Sequence, residues 1–553
     1  MRRVLFLVSA NNGLTQRAAA ELRTHGHRVR TEVVSTAEDM LRAAARRDFD
    51  LIVCPYLKAR IPDAIWRACP TVIIHPGPVG DQGPSSLDWA IAEGLPVWGV
   101  TALSAVAELD GGPIWAWRTF EMPRGARKSD VYNGPVADAA VACVLDVVAK
   151  SADPSFRPIP RADVPRMVLA ARARPRMTQA DRAVSWAAPA ADIVRAVAAA
   201  DGAPGLRTTL QGVDMFVYDA RADAHVAGEP GPVVAASHGA VRVAAGTGSV
   251  WIGHARVRGG VKLPAAHVLS APAALSEATD IRYRRVGRVG VLEFDFYNGA
   301  MSTEQCERLL AALRVAKAEP TKVLALLGGW TYFSNGIHLN VIEAATNPAA
   351  EAWRNIKAIN AVCREIIACE EQVVMAAFTG NAGAGGVMLP LGADVVVARA
   401  GVVLNPHYAT MGLYGSELHT YTLPRRVGAT VAKQLTSQCL PIGAAHACEI
   451  GLVDAVGPRD PAAFVAWLSE LADSFADGAV QRNILSAKRE VLAREHARRP
   501  LDAYEAFELG EMARDMFENR CGFAEKRHAF VRKLSGGGSA VAQPRASKSS
   551  SAA

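Results

Sequence analysis

The feature that most constrains the fold is a regular alternation of apolar and helical segments over the first 150 residues. Six apolar segments have strand character: RVLFLVSA, HRVRTEVV, DLIVCPY, TVIIHP, PVWGVTAL and PIWAWRTFEM. Helical patterns lie between them at 15–25, 36–47 and 85–93, and an amphipathic helix over 129–149 closes the region. This alternation predicts a doubly wound, mostly parallel sheet within a multidomain α/β protein.

The remainder of the 553-residue chain has a different organisation. A connector rich in Arg, Pro and Ala, most simply a solvated linker, leads into a helix and short glycine-separated strands that predict a small β-barrel-like module. A hairpin, helices and buried strands then predict a second α/β domain, before a low-complexity end. We therefore predict domains at 1–160, 161–275 and 278–534, with a disordered tail at 535–553.

Composition narrows the class of protein. Half of the residues are hydrophobic and 21% are charged, which is typical of a globular chain. The net charge of +7 suits an anionic ligand and an ordinary surface equally well. Nine cysteines without CxxC pairs favour a reduced, cytoplasmic chain. The N-terminal apolar run of about seven residues indicates a buried strand rather than a signal peptide, and no apolar run indicates a membrane span.

The first candidate site lies where the segment TVIIHP ends. His75 closes this predicted strand, and open α/β sheets bind ligands at the carboxyl ends of their strands. Asp110 lies in a tight turn before a later strand. An imidazole beside a carboxylate can hold or move a proton near pH 7, although a lone histidine at a strand end is more often structural.

These segments resemble the 10-formyltetrahydrofolate-dependent formyltransferases, a family that acts on glycinamide ribonucleotide and on methionyl-tRNA. The matching motifs are HPGPVGDQGPSSLDWAI and LDGGPI. The resemblance implies that His75 donates to the tetrahedral oxyanion, while Asp110 orients groups and relays the proton. The segment PYLKARIP is similar to the part of the family that packs against folate, which implicates Tyr56, Leu57 and Lys58.

One position departs from the formyltransferase pattern. The family carries an asparagine two residues before the histidine, whereas this chain has Ile73. One oxyanion donor is therefore missing or is supplied from elsewhere. A thiol acceptor would tolerate this loss better than an amine, because a thiolate needs less activation.

The second candidate site is the glycine-rich segment GNAGAGGVM at 380–388, which follows the apolar strand QVVMAAF. Glycines at a helix N-terminus offer free N–H groups to a negative oxygen. This segment, LALLGGWTYFSNGIHLN, PRRVGATVAKQLTSQCLPIGAAHACEIGLVDAVG and CGFAEKRHAF together resemble the enoyl-CoA hydratase/isomerase, or crotonase, superfamily. The resemblance implies that the N–H groups of Ile337 and Gly385 form an oxyanion hole for a coenzyme A (CoA) thioester.

The predicted CoA site draws on both halves of the chain. The crotonase resemblance implicates Gly336, Gly386 and Lys526, although a solvated charge is an equal alternative for the lysine. The segment VSANNGLTQ resembles a phosphate-holding loop of the formyltransferases, which implicates Asn11 and Asn12. An ordinary strand–helix turn is the alternative for that segment.

The carboxylates of a hydratase are missing from the predicted site. The two corresponding positions hold Met388 and Tyr408, so we expect a site without a base that activates water. Tyr408 is then the candidate for moving a proton. His407 and His338 are secondary candidates, and His338 either faces the thioester or anchors its loop.

A formyltransferase-like half fused to a crotonase-like half resembles the HoxX-type hydrogenase maturation proteins over nearly the whole chain. The resemblance implies formyl transfer from 10-formyltetrahydrofolate to CoA, followed by decarbonylation of formyl-CoA to carbon monoxide (CO) for the iron of NiFe-hydrogenase. It implies CoA as carrier and no metal. We expect small-molecule substrates and contact with hydrogenase maturation proteins, but neither nucleic acid nor membrane, and the arginines of the connector could line the cavity.

Two other functions are compatible with the sequence. A formyltransferase for a tRNA or sugar-nucleotide acceptor would use its crotonase-like half as a CoA-responsive or docking module. The middle module resembles that of tRNA formyltransferases, but it lacks the interleaved aromatic and basic residues of RNA-binding surfaces. A non-catalytic assembly scaffold would account for the isoleucine at position 73.

Overall fold

The computed structural model describes residues 1–165, 167–168, 170–224, 228–274 and 280–534. The predicted disordered tail at 535–553 lies outside the described residues. Within them the chain builds three sheets of six strands and one of four. The first two sheets belong to separate domains, and the last two belong to one C-terminal domain, so the α/β multidomain prediction is confirmed.

The first domain contains a sheet with the strand order β2-β1-β3-β4-β5-β6. Its strands are β1 (Arg3–Val8), β2 (Arg28–Val33), β3 (Leu51–Cys54), β4 (Thr71–His75), β5 (Val97–Ser104) and β6 (Ile114–Glu121). Its helices are α1 (Gly13–Thr24), α2 (Ala37–Ala45), α3 (Asp63–Trp66), α4 (Ser86–Ala92), α5 (Lys128–Val131) and α6 (Ala137–Lys150). The first four strands pair in parallel, whereas β5 is antiparallel to both neighbours. The short β5–β6 connection accounts for one antiparallel pair, since parallel neighbours need a longer crossover.

The middle domain is an antiparallel sheet with the order β7-β8-β11-β10-β9, and β12 pairs with β11. Its elements are α7 (Ala190–Ala200), β7 (Leu206–Leu210), β8 (Val213–Asp223), β9 (Val233–Ser237), β10 (Ala240–Ala244), β11 (Ser249–Val257) and β12 (Leu263–Pro264). Apolar side chains of α7, including Ile193 and Val197, form one core with the sheet residues Val217 and Ile252.

The C-terminal domain stacks two sheets among helices. Its large sheet has β13 (Ile281–Val286), β14 (Val289–Phe294), β15 (Val323–Leu327), β17 (Val373–Phe378), β19 (Val395–Arg399) and β22 (Ala455–Gly457), and its small sheet has β16 (Tyr332–Ser334), β18 (Asn381–Gly383), β20 (Val403–Asn405) and β21 (Ile442–Gly443). Each of β15, β17 and β19 is followed in the chain by a short strand of the small sheet. The segments that follow β15, β17 and β19 therefore lie at the same edge of the large sheet.

Helices cover the two sheets of the C-terminal domain. They are α8 (Thr303–Ala318), α9 (Leu339–Ala344), α10 (Pro348–Ile367), α11 (Gly385–Met388), α12 (His419–Gln438), α13 (Ala444–Glu449), α14 (Pro461–Phe475), α15 (Gly478–Arg498), α16 (Leu501–Phe517) and α17 (Phe523–Arg532). The largest apolar cluster of the domain lies between the sheets and these helices, and it contains Met388 at 1% exposure. Met388 is therefore a packing residue of the core.

The arginine-rich connector packs on the first domain, so the solvated-linker interpretation is wrong for this part. Arg174 donates its N–H to the Gln82 carbonyl at 3.0 Å, and its guanidinium pairs with Glu93. A side chain at Gly83 would place its Cβ 2.1 Å from the Arg174 carbonyl oxygen, so the approach requires glycine. The loop that follows His75 is consequently held by the connector.

Asp201 joins all three domains. It follows α7 of the middle domain and is 1% exposed. Ser129 of the first domain donates its hydroxyl to Asp201 Oδ2 at 2.7 Å, and Tyr297 of the C-terminal domain donates to Oδ1 at 2.8 Å. Lys262 Nζ lies 3.1 Å from the Tyr297 hydroxyl and extends this buried polar cluster.

The helical run Lys128–Lys150 is long and apolar enough to cross a bilayer, by length and composition alone. The sequence predicted this helix, at 129–149, but no membrane span. Just over half of its most apolar window is buried within the fold, and its second part packs on β5, β6 and α1. The same composition is expected of a helix that covers a buried sheet.

We expect Asp201→Ala to lower the free energy of unfolding by about 2–4 kcal/mol, because the buried Tyr297 hydroxyl and the partly buried Ser129 hydroxyl lose a charged acceptor. The measurement is the urea midpoint. Asp192→Ala is the control on the same helix, since its pair with Arg195 has both side chains nearly half exposed; we expect it to change stability by less than about 1 kcal/mol. Equal effects of the two variants would contradict the bridging role of Asp201.

Candidate active site

One cavity of about 2600 Å³ is lined by residues of all three domains. His75 and Asp110 line it from the first domain, Lys262 from the middle domain, and Gly385 and Tyr408 from the C-terminal domain. The two centres predicted from the sequence therefore open into a shared space. Arg176 of the connector also lines it.

Most of the predicted site residues line this cavity. They are Asn11, Asn12, Tyr56, Leu57, Lys58, His75, Asp110, Ile337, His338, Gly385, His407 and Tyr408. Three others do not line it. Gly336 and Gly386, next to Ile337 and Gly385 in the chain, are buried, and Lys526 on α17 is partly exposed outside the cavity.

The first centre is a histidine between two aspartates. His75 Nε2 lies 2.8 Å from Asp81 Oδ2, and its Nδ1 lies 3.5 Å from Asp110 Oδ2. Asp110 has a left-handed backbone with φ of 51°, and its Oδ2 accepts the Gly83 N–H at 3.1 Å. Sequence reasoning predicted the pairing with Asp110 but missed Asp81, which lies in the loop after the histidine.

The protonation of His75 reflects two opposing effects. Burial lowers the pKa of this imidazole, while the hydrogen bond with Asp81 and the charges of Asp110 and Asp81 raise it, and the net shift is upward. Ile73 lines the cavity close to this centre and offers no donor. The side-chain amide that the formyltransferase pattern supplies at this position is therefore absent.

The folate segment and the start of α1 lie on the same cavity wall. Lys58 Nζ lies 5.5 Å from the centre of the Tyr56 ring, whose edge packs against Tyr132. The Asn12 side chain caps α1 by accepting the Thr15 N–H at 3.0 Å and also donates to the Tyr132 hydroxyl. Asn12 therefore organises this wall through bonds within the protein.

The second centre presents two free backbone donors. Gly385 begins α11, and the N–H groups of Gly385 and Ile337 donate to no acceptor within the described ranges. A Cβ at Gly336 would lie 3.3 Å from the Gly385 nitrogen, so the two loops are in close contact. Free N–H groups from facing loops are the donors that an oxyanion requires.

A carboxylate lies beside these donors, so the expectation of a site without one is wrong. Tyr408 donates its hydroxyl to Glu417 Oε2 at 2.6 Å, and the Ser416 N–H donates to the same oxygen at 3.0 Å. A Cβ at Gly385 would lie only 1.9 Å from Glu417 Oε1. Glu417 comes from a turn nine residues beyond Tyr408, so comparison with the hydratase positions could not find it.

The turn that carries Glu417 is held by buried polar groups. Glu417 and Leu418 both have left-handed backbones, with φ of 59° and 55°, a conformation that costs energy in residues other than glycine. Asn360 Oδ1 accepts the Glu417 N–H at 2.9 Å, and Glu508 accepts the N–H groups of Leu418 and Thr420. Strain of this kind persists where the surrounding structure fixes it, as it does at functional sites.

Glu417 is the member of the pair whose pKa lies near neutral pH. Burial raises its pKa to about 7, against the weaker opposing effect of the Tyr408 hydrogen bond. Burial and the Glu417 charge raise the pKa of Tyr408 well above its ordinary value. Tyr408 therefore remains protonated and donates, whereas Glu417 can exchange a proton near neutral pH.

The two histidines of this region are neutral. Burial and the neighbouring His254 lower the pKa of His338 to about 3. His338 Nδ1 accepts the Val341 N–H at 3.2 Å, so the ring anchors its own loop while it lines the cavity. Burial also lowers the pKa of His407, whose Nδ1–H donates to the Asn405 carbonyl at 2.8 Å.

Among the basic side chains on the cavity wall, four come together from all three domains. They are Lys58, Arg256, Arg532 and Lys533. In the part of the chain that the structure describes, none of them forms an ion pair with a carboxylate. Burial, Lys58 and Arg256 lower the pKa of Lys533. Unpaired like charges in one place indicate an anionic ligand, and they fit the phosphates of CoA or the carboxylates of a folate.

Two family models match the chain, and one relative matches almost all of it. Enoyl-CoA hydratase/isomerase matches residues 289–532, and Formyl transferase, C-terminal domain, matches residues 176–272. The hydrogenase maturation factor HoxX of Bradyrhizobium diazoefficiens is 42% identical, over 96% of this chain and 95% of that protein. The chain belongs to the HoxX/HypX family of hydrogenase maturation factors.

Solved structures of this family share the whole architecture. HypX from Aquifex aeolicus in complex with tetrahydrofolic acid has a TM-score of 0.91 and 38% identity, and the match covers 96% of each chain. A variant of that HypX has a TM-score of 0.92 and 37% identity over 98% of each chain. The family resemblance and fold class predicted from the sequence are thus confirmed, whereas the roles of individual residues stay predictions.

The raised pKa of Glu417 predicts a pH-dependent stability difference. A folded pKa of about 7 against an ordinary 4.5 means that the folded state binds the proton more tightly. This stabilisation is complete below the ordinary pKa and is lost as the pH rises through the folded value. The glutamine of Glu417→Gln does not titrate, so its free energy of unfolding lacks this pH dependence. We therefore expect the free energy of unfolding of the variant, relative to that of the wild type, to increase from about pH 5.5 to about pH 8.

The measurement is the urea midpoint of both proteins at the two pH values. Glu470→Gln, at an exposed position of α14, is the control, and its urea midpoint should differ from that of the wild type by the same amount at both pH values. A Glu417→Gln difference that does not change with pH would contradict the buried, proton-binding environment of Glu417.

Proposed function

We propose that this member of the HoxX/HypX family makes carbon monoxide from 10-formyltetrahydrofolate. A formyl group is first transferred to CoA, formyl-CoA is then decarbonylated to CO and CoA, and the CO serves as a ligand of the iron of NiFe-hydrogenase. The observation that carries the proposal is the single cavity lined by His75 of the first domain and by Gly385, Tyr408 and Glu417 of the C-terminal domain. Formyl-CoA need not leave the protein between the two steps.

The formyl donor is supported by the first domain and by a relative. Tyr56, Leu57 and Lys58 line the cavity beside the centre formed by His75 and Asp110. HypX from Aquifex aeolicus binds tetrahydrofolic acid in its crystal structure. A folate at this wall would bring its formyl group to the imidazole.

The acceptor is supported by the cations and by the size of the cavity. Lys58, Arg256, Arg532 and Lys533 can hold the phosphates of CoA at the wall. The pantetheine arm is roughly 20 Å long when extended, by the bond lengths of such chains. A CoA anchored by its phosphates could therefore present its sulfur first to one centre and then to the other.

In the second step, the free N–H groups of Ile337 and Gly385 polarise the carbonyl of the formyl thioester. Glu417 Oε1, beside Gly385, takes the formyl proton. The C–H electron pair stays on the carbon as the lone pair of CO, and an oxygen lone pair completes the triple bond as the carbon–sulfur bond breaks. The electron pair of that bond leaves with the sulfur as thiolate. Glu417 then returns the proton to the sulfur, so CO and the free thiol are the products. Tyr408 holds the carboxylate throughout.

The surroundings of Glu417 favour this use over the activation of water. Met388 fills one hydratase acid position with an apolar side chain in the core. The pKa of about 7 makes Glu417 a stronger base than an exposed carboxylate and leaves part of it protonated at neutral pH.

The nine cysteines are all unpaired, which supports our proposal of a reducing, cytoplasmic location for this thiol chemistry.

Variants separate the two steps. With 10-formyltetrahydrofolate and CoA, we expect Glu417→Gln to lower CO release by about 100-fold or more, because the proton acceptor is lost. Tetrahydrofolate should still form, with formyl-CoA accumulating. His75→Ala should suppress both products. The measurements are CO capture by reduced haemoglobin and chromatography of folates and acyl-CoA.

Tyr408→Phe tests the partner of the carboxylate. It should slow CO release and spare formyl transfer, since the hydroxyl holds Glu417 Oε2. Tyr414→Phe is the matched control, because Tyr414 does not line the cavity, and it should behave as the wild type. Unchanged CO release by Glu417→Gln would remove this carboxylate from the mechanism, and formyl transfer without CO in the wild type would contradict the proposed function.

A further inference from the structure

Asp81 is a buried carboxylate at the active site that has no place in the reaction as described so far. It is 3% exposed and does not line the cavity, so it cannot touch a substrate. Its Oδ2 lies 2.8 Å from His75 Nε2, whereas its Oδ1 is buried without a hydrogen-bond partner in the described chain. The carboxylate therefore acts through the imidazole.

The fold is shaped to allow this contact. A Cβ at Gly77 would lie 2.3 Å from Asp81 Oδ2 and 2.5 Å from His75 Nε2, so any side chain there would displace the pair. Thr101 fixes the same segment by donating its hydroxyl to the Gly77 carbonyl at 2.8 Å. The pair is thus built into the loop HPGPVGD rather than formed by a mobile surface carboxylate.

The orientation of the ring follows from this contact. Asp81 accepts the Nε2–H of His75, which leaves Nδ1 without a proton in the neutral imidazole. Nδ1 is the nitrogen that faces Asp110, and both His75 and Asp110 line the cavity. A neutral ring in this tautomer presents the Nδ1 lone pair on the side of Asp110, at the wall of the cavity.

We propose that Asp81 is a positioning residue that makes His75 the general base for the thiol of CoA. This inference rests on the proposed formyl transfer to CoA. It replaces the expectation that His75 donates to the oxyanion. It also accounts for the isoleucine at position 73, because a site that activates its nucleophile depends less on the missing amide donor. Asp81 and Asp110 are the two charged groups that face the imidazole.

Formyl transfer exchanges a carbon–nitrogen bond for a carbon–sulfur bond and moves one proton from the CoA thiol to N10. His75 Nδ1 takes the proton of the CoA thiol, and the sulfur electron pair forms a bond to the formyl carbon of 10-formyltetrahydrofolate. The carbon–N10 bond breaks, its electron pair goes to N10, and His75 returns the proton there. Asp81 and Asp110 stabilise the imidazolium between the two transfers. An imidazole whose pKa is raised toward that of a thiol is well matched to this exchange.

The pH profile distinguishes a base from a donor. A general base must be neutral, so the rate of formyl transfer rises with pH as His75 loses its proton. A donor must be protonated, so the rate would fall over the same range. We expect Asp81→Asn to move the rise to lower pH by about one unit, because a neighbouring negative charge is lost.

We also expect Asp81→Asn to lower the plateau rate about 10- to 100-fold, the range seen when a partner that orients a functional histidine is removed. The KM for CoA should change by less than about twofold, since Asp81 does not line the cavity. Asp81→Glu should restore part of the rate. The control is Asp63→Asn, an exposed carboxylate on α3 that pairs with Arg67.

The experiment measures CoA-dependent release of tetrahydrofolate by the full-length protein between about pH 5.5 and pH 9, across the ordinary histidine pKa. Gly77→Ala displaces the pair from the backbone and should reproduce the lost rate, which keeps the test available if Asp81→Asn does not fold. A wild-type pH profile in either folded variant would overturn the role of Asp81. A wild type that is active but loses activity as pH rises would also overturn it. A wild type without CoA-dependent turnover would overturn the proposed function and this inference together.

Discussion

A buried carboxylate ties together the three domains that surround the cavity. Asp201 of the middle domain accepts hydroxyl groups from Ser129 of the first domain and Tyr297 of the third. A buried charge is tolerated only when it is well paired, so the position of each domain depends on the other two. Neither predicted centre lies at this contact, yet both face the one space that the three domains enclose.

The two centres share a construction principle. In each, a glycine without a side chain lets a carboxylate approach: Gly77 leaves room for Asp81 beside His75, and Gly385 leaves room for Glu417 beside the oxyanion donors. At the second centre burial raises the pKa of Glu417 toward neutrality, whereas at the first the two aspartates raise the pKa of His75 against the opposing effect of burial. In the reaction that we propose, the first centre handles the proton of a thiol and the second handles the proton of a formyl group, and both steps use groups that exchange protons near pH 7.

The features that could be predicted from the sequence are those that depend on local patterns of residues. Strand–helix alternation predicted the sheet of the first domain, and the motifs around His75, Asp110 and Gly385 predicted residues that line one cavity. Asp81 and Glu417 were missed for a physical reason. Both lie on turns whose path depends on distant contacts, such as the bonds from Asn360 and Glu508 to the turn of Glu417. The antiparallel β5 and the packed connector likewise follow from tertiary contacts rather than from local periodicity.

The fate of the formyl carbon decides whether the cavity performs both steps. The measurement is a turnover of 10-[¹³C]formyltetrahydrofolate with CoA on the purified full-length protein, followed by mass spectrometry of the gas phase and NMR of the solution. Two centres in one cavity predict one ¹³CO for each tetrahydrofolate formed, with no labelled formate. Recovery of the label as formate, or on an acceptor other than CoA, would contradict the proposed two-step reaction.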